Sequence, residues 1–160
     1  MTVAAEIVFA TRDIRGLELA AKSIGGLTNK HLSPAVRQAM KPVLQSARAG
    51  APVDTGALKK GLVLRADRSR VKLKKTYKVA VDEKKSDIFA KEYGDNGKGG
   101  KKRAYYPASQ EFGFKKKNGG QVPGKHFLKK ALESHEDRIP DAIMDGVMKE
   151  IQKEWTKQHG

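Results

Sequence analysis

Three sets of residues in the 160-residue chain have types and spacings that chemistry uses. The first is Asp54-Thr55-Gly56, inside "APVDTGAL" at residues 51–58. After an apolar residue, Asp-Thr-Gly is the loop signature of an aspartic protease, where two carboxylates from two copies share one proton. That chemistry needs the loop between strands, braced by a later apolar-apolar-Gly segment. Here the motif follows a helix and a proline and leads into "ALKKGL", which favours a helical turn. Asp54 is therefore expected to cap a short turn at 55–60, with Gly56 permitting close packing.

The second set is Gly119, Gly124 and Lys125, at the G-x-x-x-x-G-K spacing of a phosphate loop. His126 stands where a Ser or Thr would hold magnesium, and Pro123 removes one backbone N–H that such a loop aims at phosphate. A connector between a strand and a helix is the expectation. The third set, His31, His126, His135 and His159, has no ligand spacing and no i, i+4 pair beside a glutamate. No nucleophile has an evident base. The reading is a protein that is not an enzyme, with no catalytic residues, no cofactor and no metal.

The elements that hold these residues follow from period and punctuation. "AEIVFA" at 5–10 predicts a short strand, and Ile14, Leu17, Ala21 and Ile24 recur at helical spacing up to Gly25-Gly26. A longer helix is predicted from the N-cap Ser33 and Pro34, with Val36, Met40, Val43, Leu44 and Ala47 in one stripe. Pro42 predicts a kink in it, and Ala49-Gly50 followed by Pro52 predicts its end. The period then changes to two. Leu62 and Leu64, then Val71, Leu73, Tyr77, Val79 and Val81, fall on single faces, opposite Lys and Arg. Residues 82–103 read as a long mobile basic loop, and "AYYPASQEFGF" as a strand with an edge or bulge at Pro107. A second loop, at 115–125, is followed by a helical third carrying Leu128, Leu132, Ile139, Ile143, Val147, Ile151 and Trp155, broken or bent at Pro140.

The expected fold is α+β: an antiparallel sheet of a few strands packed against a kinked N-terminal-half helix and a long C-terminal helix. The length suits one domain, 1–160. There is no cysteine, so no disulfide and no thiolate metal site. No stretch approaches the roughly 20 apolar residues of a spanning helix, and the first apolar run lacks the form of a signal peptide. A soluble protein with no membrane partner is expected.

The net charge of +15 is unevenly placed: residues 59–117 hold 19 Lys and Arg against 7 Asp and Glu. A field of that size implies an anionic partner. The candidate contacts are Lys72, Lys74, Lys75, Lys98, Lys101, Lys102, Arg103, Lys115, Lys116 and Lys117, with Tyr93, Tyr105, Tyr106, Phe112 and Phe114 interleaved. Basic loops with aromatics suit sequence-independent, salt-dependent binding of nucleic acid. The same lysines equally suit a solvated face.

Three pieces form one pattern: a helix running into "ARAGAPVDTGALKKGLVLR", a strand with "YYPASQEFGF", and a glycine-rich loop leading to "HFLKKALES". The pattern resembles the tail-completion or neck proteins of long-tailed bacteriophages, over residues 30 to 155. Its positions here are Pro52, Asp54, Thr55, Gly56 and Leu58, then Tyr106, Glu111, Phe112 and Gly113, then Pro123, Phe127 and Leu128. Departures are the long loop 82–103, Gly61 where serine is common, and Phe114 where threonine is usual. The resemblance implies a structural virion protein that acts in the host cytoplasm during assembly and then in the virion. It implies a self-ring, hexameric or dodecameric, between head connector and tail proteins around the DNA channel. The first group would form a structural turn, and Tyr106, Glu111, Phe112, Gly113, Phe127 and Leu128 a strand end and interface candidates. Phe112 is expected to be buried and Gly113 to take a glycine-type turn.

Overall fold

The computed structural model describes residues 4–10, 26, 28–54, 56–68, 70, 74–95, 97 and 100–160. A three-stranded antiparallel sheet is formed by β1 (Ala4–Ala10), β2 (Leu62–Asp67) and β3 (Lys74–Val81), with β3 in the middle. Tyr77 stands opposite Ile7 on one side and Ala66 on the other. The predicted strand at 5–10 is β1. The predicted helix over 14–24, and Val71 and Leu73, lie outside the described residues.

On β3 the expected apolar face holds, with Tyr77, Val79 and Val81 buried. The other face departs from the solvated basic side that alternation predicts. Thr76 and Ala80 are buried there too, and Lys78 Nζ donates to Asp67 Oδ2 at 2.8 Å. A central strand has a neighbour on each edge, and side chains as small as Thr and Ala are readily shielded between them.

The predicted kinked helix is two segments, α1 (Asn29–Ala39) and α2 (Lys41–Gly50), parted at Met40. Pro42 sits in the first turn of α2, where its missing N–H costs nothing. The start differs from expectation: Thr28, not Ser33, is the N-cap, and Pro34 lies inside α1. Thr28 Oγ1 accepts the Lys30 N–H at 3.3 Å, while the Thr28 N–H donates to His31 Nδ1 at 3.2 Å. A histidine thus takes the part that Glu or Gln plays in a capping box. A sequence scan for the acidic form passes over it.

The short helix α3 (Ala57–Gly61) leads into β2. Residues 82–103, read as a long mobile basic loop, contain a 3-10 segment (Glu83–Phe89) and most of a hairpin of β4 (Ala90–Asp95) and β5 (Lys101–Tyr105). A Cβ on Gly61 would come within 3.2 Å of the Phe89 ring, so glycine at 61 leaves room for that buried phenylalanine. "AYYPASQEFGF" is not one strand. It is the end of β5, the helix α4 (Tyr106–Phe112) and the start of β6 (Gly113–Lys115). Pro107 is in the first turn of α4, a position it suits as well as a strand edge. The second loop is likewise a hairpin, β6 with β7 (Gln121–Pro123).

The C-terminal third comprises α5 (Phe127–Glu133), a 3-10 turn (Glu136–Arg138) and α6 (Ile139–His159), whose first turn holds Pro140. Ile139, Ile143, Val147 and Ile151 are buried as the spacing predicts, whereas Trp155 is half exposed. The architecture is mixed helix and strand, with a bent N-terminal-half helix and a long C-terminal helix. The core lies where α1 packs on α6 and β3, and α2 on α5 and β2. The α1–α6 contact is close: a Cβ on Gly146 would come within 2.9 Å of Ala35 Cβ.

One polar contact also joins these two helices. His31 is buried, and since its Nδ1 accepts from Thr28, its Nε2 carries the proton donated to Glu154 Oε2 at 2.5 Å. That hydrogen bond, helped by the Lys30 charge, holds the Glu154 carboxyl below its ordinary 4.5 despite some desolvation. A depressed folded-state value stabilises the fold above the unfolded value and loses that contribution as pH falls through the folded one. Unfolding measured from pH 7 down to pH 3 is expected to show a stability loss beginning below about pH 4.5 that Glu154→Gln removes. An unchanged pH profile in that variant would show that the contact contributes nothing.

Candidate functional site

The residues singled out in the sequence fall into two places. The first is the turn between α2 and α3. Ala51 is buried, Pro52 half-buried, and Val53 and Asp54 are exposed. Asp54 does not cap the helix. Its N-cap is Gly56, in the left-handed region at φ +72°, which has no side chain to offer as a cap. Nor does Gly56 serve close packing, since a Cβ there would meet nothing within 4 Å. Its glycine character answers to the backbone dihedral. Thr55 lies outside the described residues. Leu58 is buried and ties the turn to the core. Arg48, which the sequence reading passed over, spans the turn: its Nη2 and Nε donate to the Leu62 carbonyl at 2.7 and 3.2 Å. Asp54 also acts on Tyr106, whose phenol is pushed up first by partial burial and then by the Asp54 charge.

The second place unites the other two parts of the pattern. Glu111, at the end of α4, is only 3% exposed. Its Oε2 accepts the Leu128 N–H at 2.9 Å and its Oε1 the Lys129 N–H at 3.1 Å. The helix α5 starts after His126, which has φ +51° and provides no side-chain cap. Glu111 is the cap, supplied from another helix, and its charge favours the positive end of α5.

Two glycines make this approach possible. Gly113 has φ +81° and ψ −178°, which suits glycine as expected. A Cβ there would lie 2.2 Å from the Val122 carbonyl oxygen, and one on Gly124 would lie 2.1 Å from the Glu111 carbonyl oxygen. The Lys125 N–H donates to Gln110 O at 2.8 Å and the His126 N–H to Glu111 O at 3.2 Å. The amides of Lys125 and His126 are therefore committed to the fold, and Gly119 lies in the turn of the β6–β7 hairpin. Phe127 and Leu128 are buried.

Phe112 departs from expectation: it is 63% exposed, and Phe114 is 45% exposed. Glu111 takes the inward direction at the end of α4, and the neighbouring residue on a helix points elsewhere. The basic residues are spread over several elements. Lys74 and Lys75 are on β3, Lys101, Lys102 and Arg103 on β5, and Lys115 to Lys117 on the exposed β6–β7 hairpin. Lys72 and Lys98 lie outside the described residues. Lys101 pairs with Glu92 at 3.6 Å. Among the described residues, no group of three or more His, Asp or Glu converges as a metal site, and no helix is long and apolar enough to cross a membrane.

What this arrangement does is hold elements together: the cap, the two glycines and the arginine clasp each fix backbone against backbone. Residues 16–113 match the HK97-gp10-like family, described as "Bacteriophage HK97-gp10, putative tail-component", and the chain belongs to that family. The matched residues include the Asp-Thr-Gly turn and end at Gly113, so Phe127 and Leu128 lie beyond them. No curated protein and no solved structure matches the chain. Family membership makes the chain a structural component of the phage tail or neck region, and places it in the virion.

Proposed function

We propose that the protein completes the joint between phage head and tail. Copies assemble as a ring, hexameric or dodecameric, stacked between the head connector and the tail proteins around the channel that DNA crosses. The chain acts as a single α+β domain and performs no catalysis. It assembles in the host cytoplasm and remains in the virion. The observation that carries this reading is the family match over 16–113. It is supported by what the reactive-looking residues do, since Glu111 is committed to capping α5 and the Lys125 and His126 amides to the Gln110 and Glu111 carbonyls.

Electron microscopy of lysates from the parent phage lacking this reading frame tests it. Filled heads beside separate finished tails are expected, and normal infectious virions would end the reading. Charge adds a second expected result. Copies that each carry +15 repel at low salt, so the free chain is expected to be monomeric or weakly associated and to close its ring on an anionic template. A stable closed ring in dilute, low-salt solution, measured by light scattering, would overturn that.

The exposed Lys115 to Lys117 beside Phe114 favour one alternative, sequence-independent binding of nucleic acid. A steep salt dependence of DNA affinity, with absence from finished virions, is its signature.

A further inference from the structure

Four of the six large apolar side chains exposed among the described residues fall into two patches of opposite charge: Phe112 and Phe114 at the β6–β7 hairpin, and Met148 and Trp155 on α6. On α6, Asp141, Asp145, Met148, Gln152 and Trp155 recur at spacings of four and three, which puts them on one face of the helix. All five are exposed, Met148 at 46% and Trp155 at 49%, while Ile143, Val147 and Ile151 turn another side to the core. Neither aspartate enters an ion pair among the described residues. The lysines of the helix, Lys149, Lys153 and Lys157, follow a different stripe. On a chain of net charge +15, an outer face of carboxylates and large apolar groups stands apart.

We propose that this face of α6 seats the β6–β7 hairpin of a second copy of the chain. The hairpin lays Phe112 and Phe114 against Met148 and Trp155, and brings Lys115, Lys116 and Lys117 to Asp141 and Asp145. The inference deepens the ring reading above and rests on it, by naming the two surfaces that meet.

Charge complementarity carries the choice of occupant. Two unpaired carboxylates repel nucleic acid, an anionic lipid surface and an acidic protein alike. The face calls for a partner both basic and apolar. The hairpin is that: Phe112 is 63% and Phe114 45% exposed, and the three lysines that follow are exposed and enter no ion pair among the described residues. Both patches stay exposed in a single chain, so a chain's own hairpin does not cover its α6. Two different patches meeting make a head-to-tail contact, which leaves one patch open at each end until a ring closes. The net charge still holds free copies apart at low salt, and the local pairs act once a template brings copies together.

The chain has no cysteine, so introduced thiols read the contact. Gln121→Cys, opposite Lys115 in the hairpin, and Gln152→Cys, within the α6 face, remove neither a charge nor an apolar group. In virions of the parent phage carrying both, a short bis-maleimide is expected to give a ladder of multimers of the chain beyond the dimer. Phages carrying either substitution alone are expected to give no ladder. Asp141→Lys with Asp145→Lys, and separately Lys115→Asp with Lys116→Asp, should each lower phage titre by at least about tenfold, and all four together should restore it to within about threefold. Lys125→Asp with Lys130→Asp, the same charge change outside both patches, should cost less than about twofold. The chain present in virions without a ladder would overturn the proposal and leave the ring reading standing, whereas its absence from virions would end both. Reversals without effect on titre, or a combined variant no better than its parts, would also overturn the proposal. So would crosslinks from position 121 to a different virion protein in place of the ladder, which would give the hairpin another partner.

Discussion

Glu111→Ala is expected to destabilise the protein by about 3 kcal/mol, because it leaves two N–H donors at the start of α5 without an acceptor. Each bond is charge-assisted, and the Leu128 bond is fully buried, so water cannot simply take the place of the carboxylate. For a chain of this length the loss corresponds to a fall in Tm of roughly 10 °C. Glu111→Gln keeps one acceptor oxygen but turns an NH2 group toward the second donor, and should fall between the two. Urea unfolding of the three proteins checks the order. A Glu111→Ala variant within about 0.5 kcal/mol of the parent would show that α5 is capped some other way.

Gly113→Ala and Gly124→Ala are each expected to cost more than about 3 kcal/mol, or to prevent folding. Both meet backbone rather than a side chain that could swing aside. The added methyl would lie 2.2 Å from the Val122 carbonyl oxygen in one case and 2.1 Å from the Glu111 carbonyl oxygen in the other. At Gly113 the dihedrals are in a region open almost only to glycine, which adds its own strain. Gly119→Ala serves as the comparison. It too has a positive φ, but a Cβ there would meet nothing within 4 Å, so only about 1 kcal/mol is expected. Thermal melting of the three variants separates the two causes. Equal losses at Gly113 and Gly119 would place the Gly113 effect in the dihedral, while Gly124, which has no positive φ, reads the close approach by itself. The Glu111 carbonyl lies against Gly124, so the loss in a double variant should differ from the sum of the singles.

For a structural component of the phage tail or neck region these effects matter beyond stability. The β6–β7 hairpin carries exposed Phe114 and Lys115 to Lys117, and Gly113 and Gly124 set its angle to the helices. A rigid root presents those side chains to a neighbour at a lower entropy cost than a free loop would.

Several features were legible in the residues alone. The stripes Val36, Met40, Val43, Ala47 and Ile139, Ile143, Val147, Ile151 are buried as their spacing predicts, since helical period sets which side chains share a face. The break near Pro42 and the left-handed turn at Gly113 follow from one residue's own backbone limits. The concentration of Lys and Arg at 59–117 needs no fold to be seen. The tail-component family was also legible, as a resemblance carried by the three motifs.

Other features exist only because the chain closes on itself. The two basic stretches become hairpins by cross-strand pairing, and their exposed residues show no alternation for a pattern to detect. Glu111 could be seen as a glutamate between a helix former and Phe112, but not as a cap for Leu128 and Lys129. His31 showed no sign of its hydrogen bond to Glu154. Periodicity and turn chemistry act over a few residues. A buried hydrogen bond between distant residues depends on where packing brings their backbones, and that is decided by the tertiary fold.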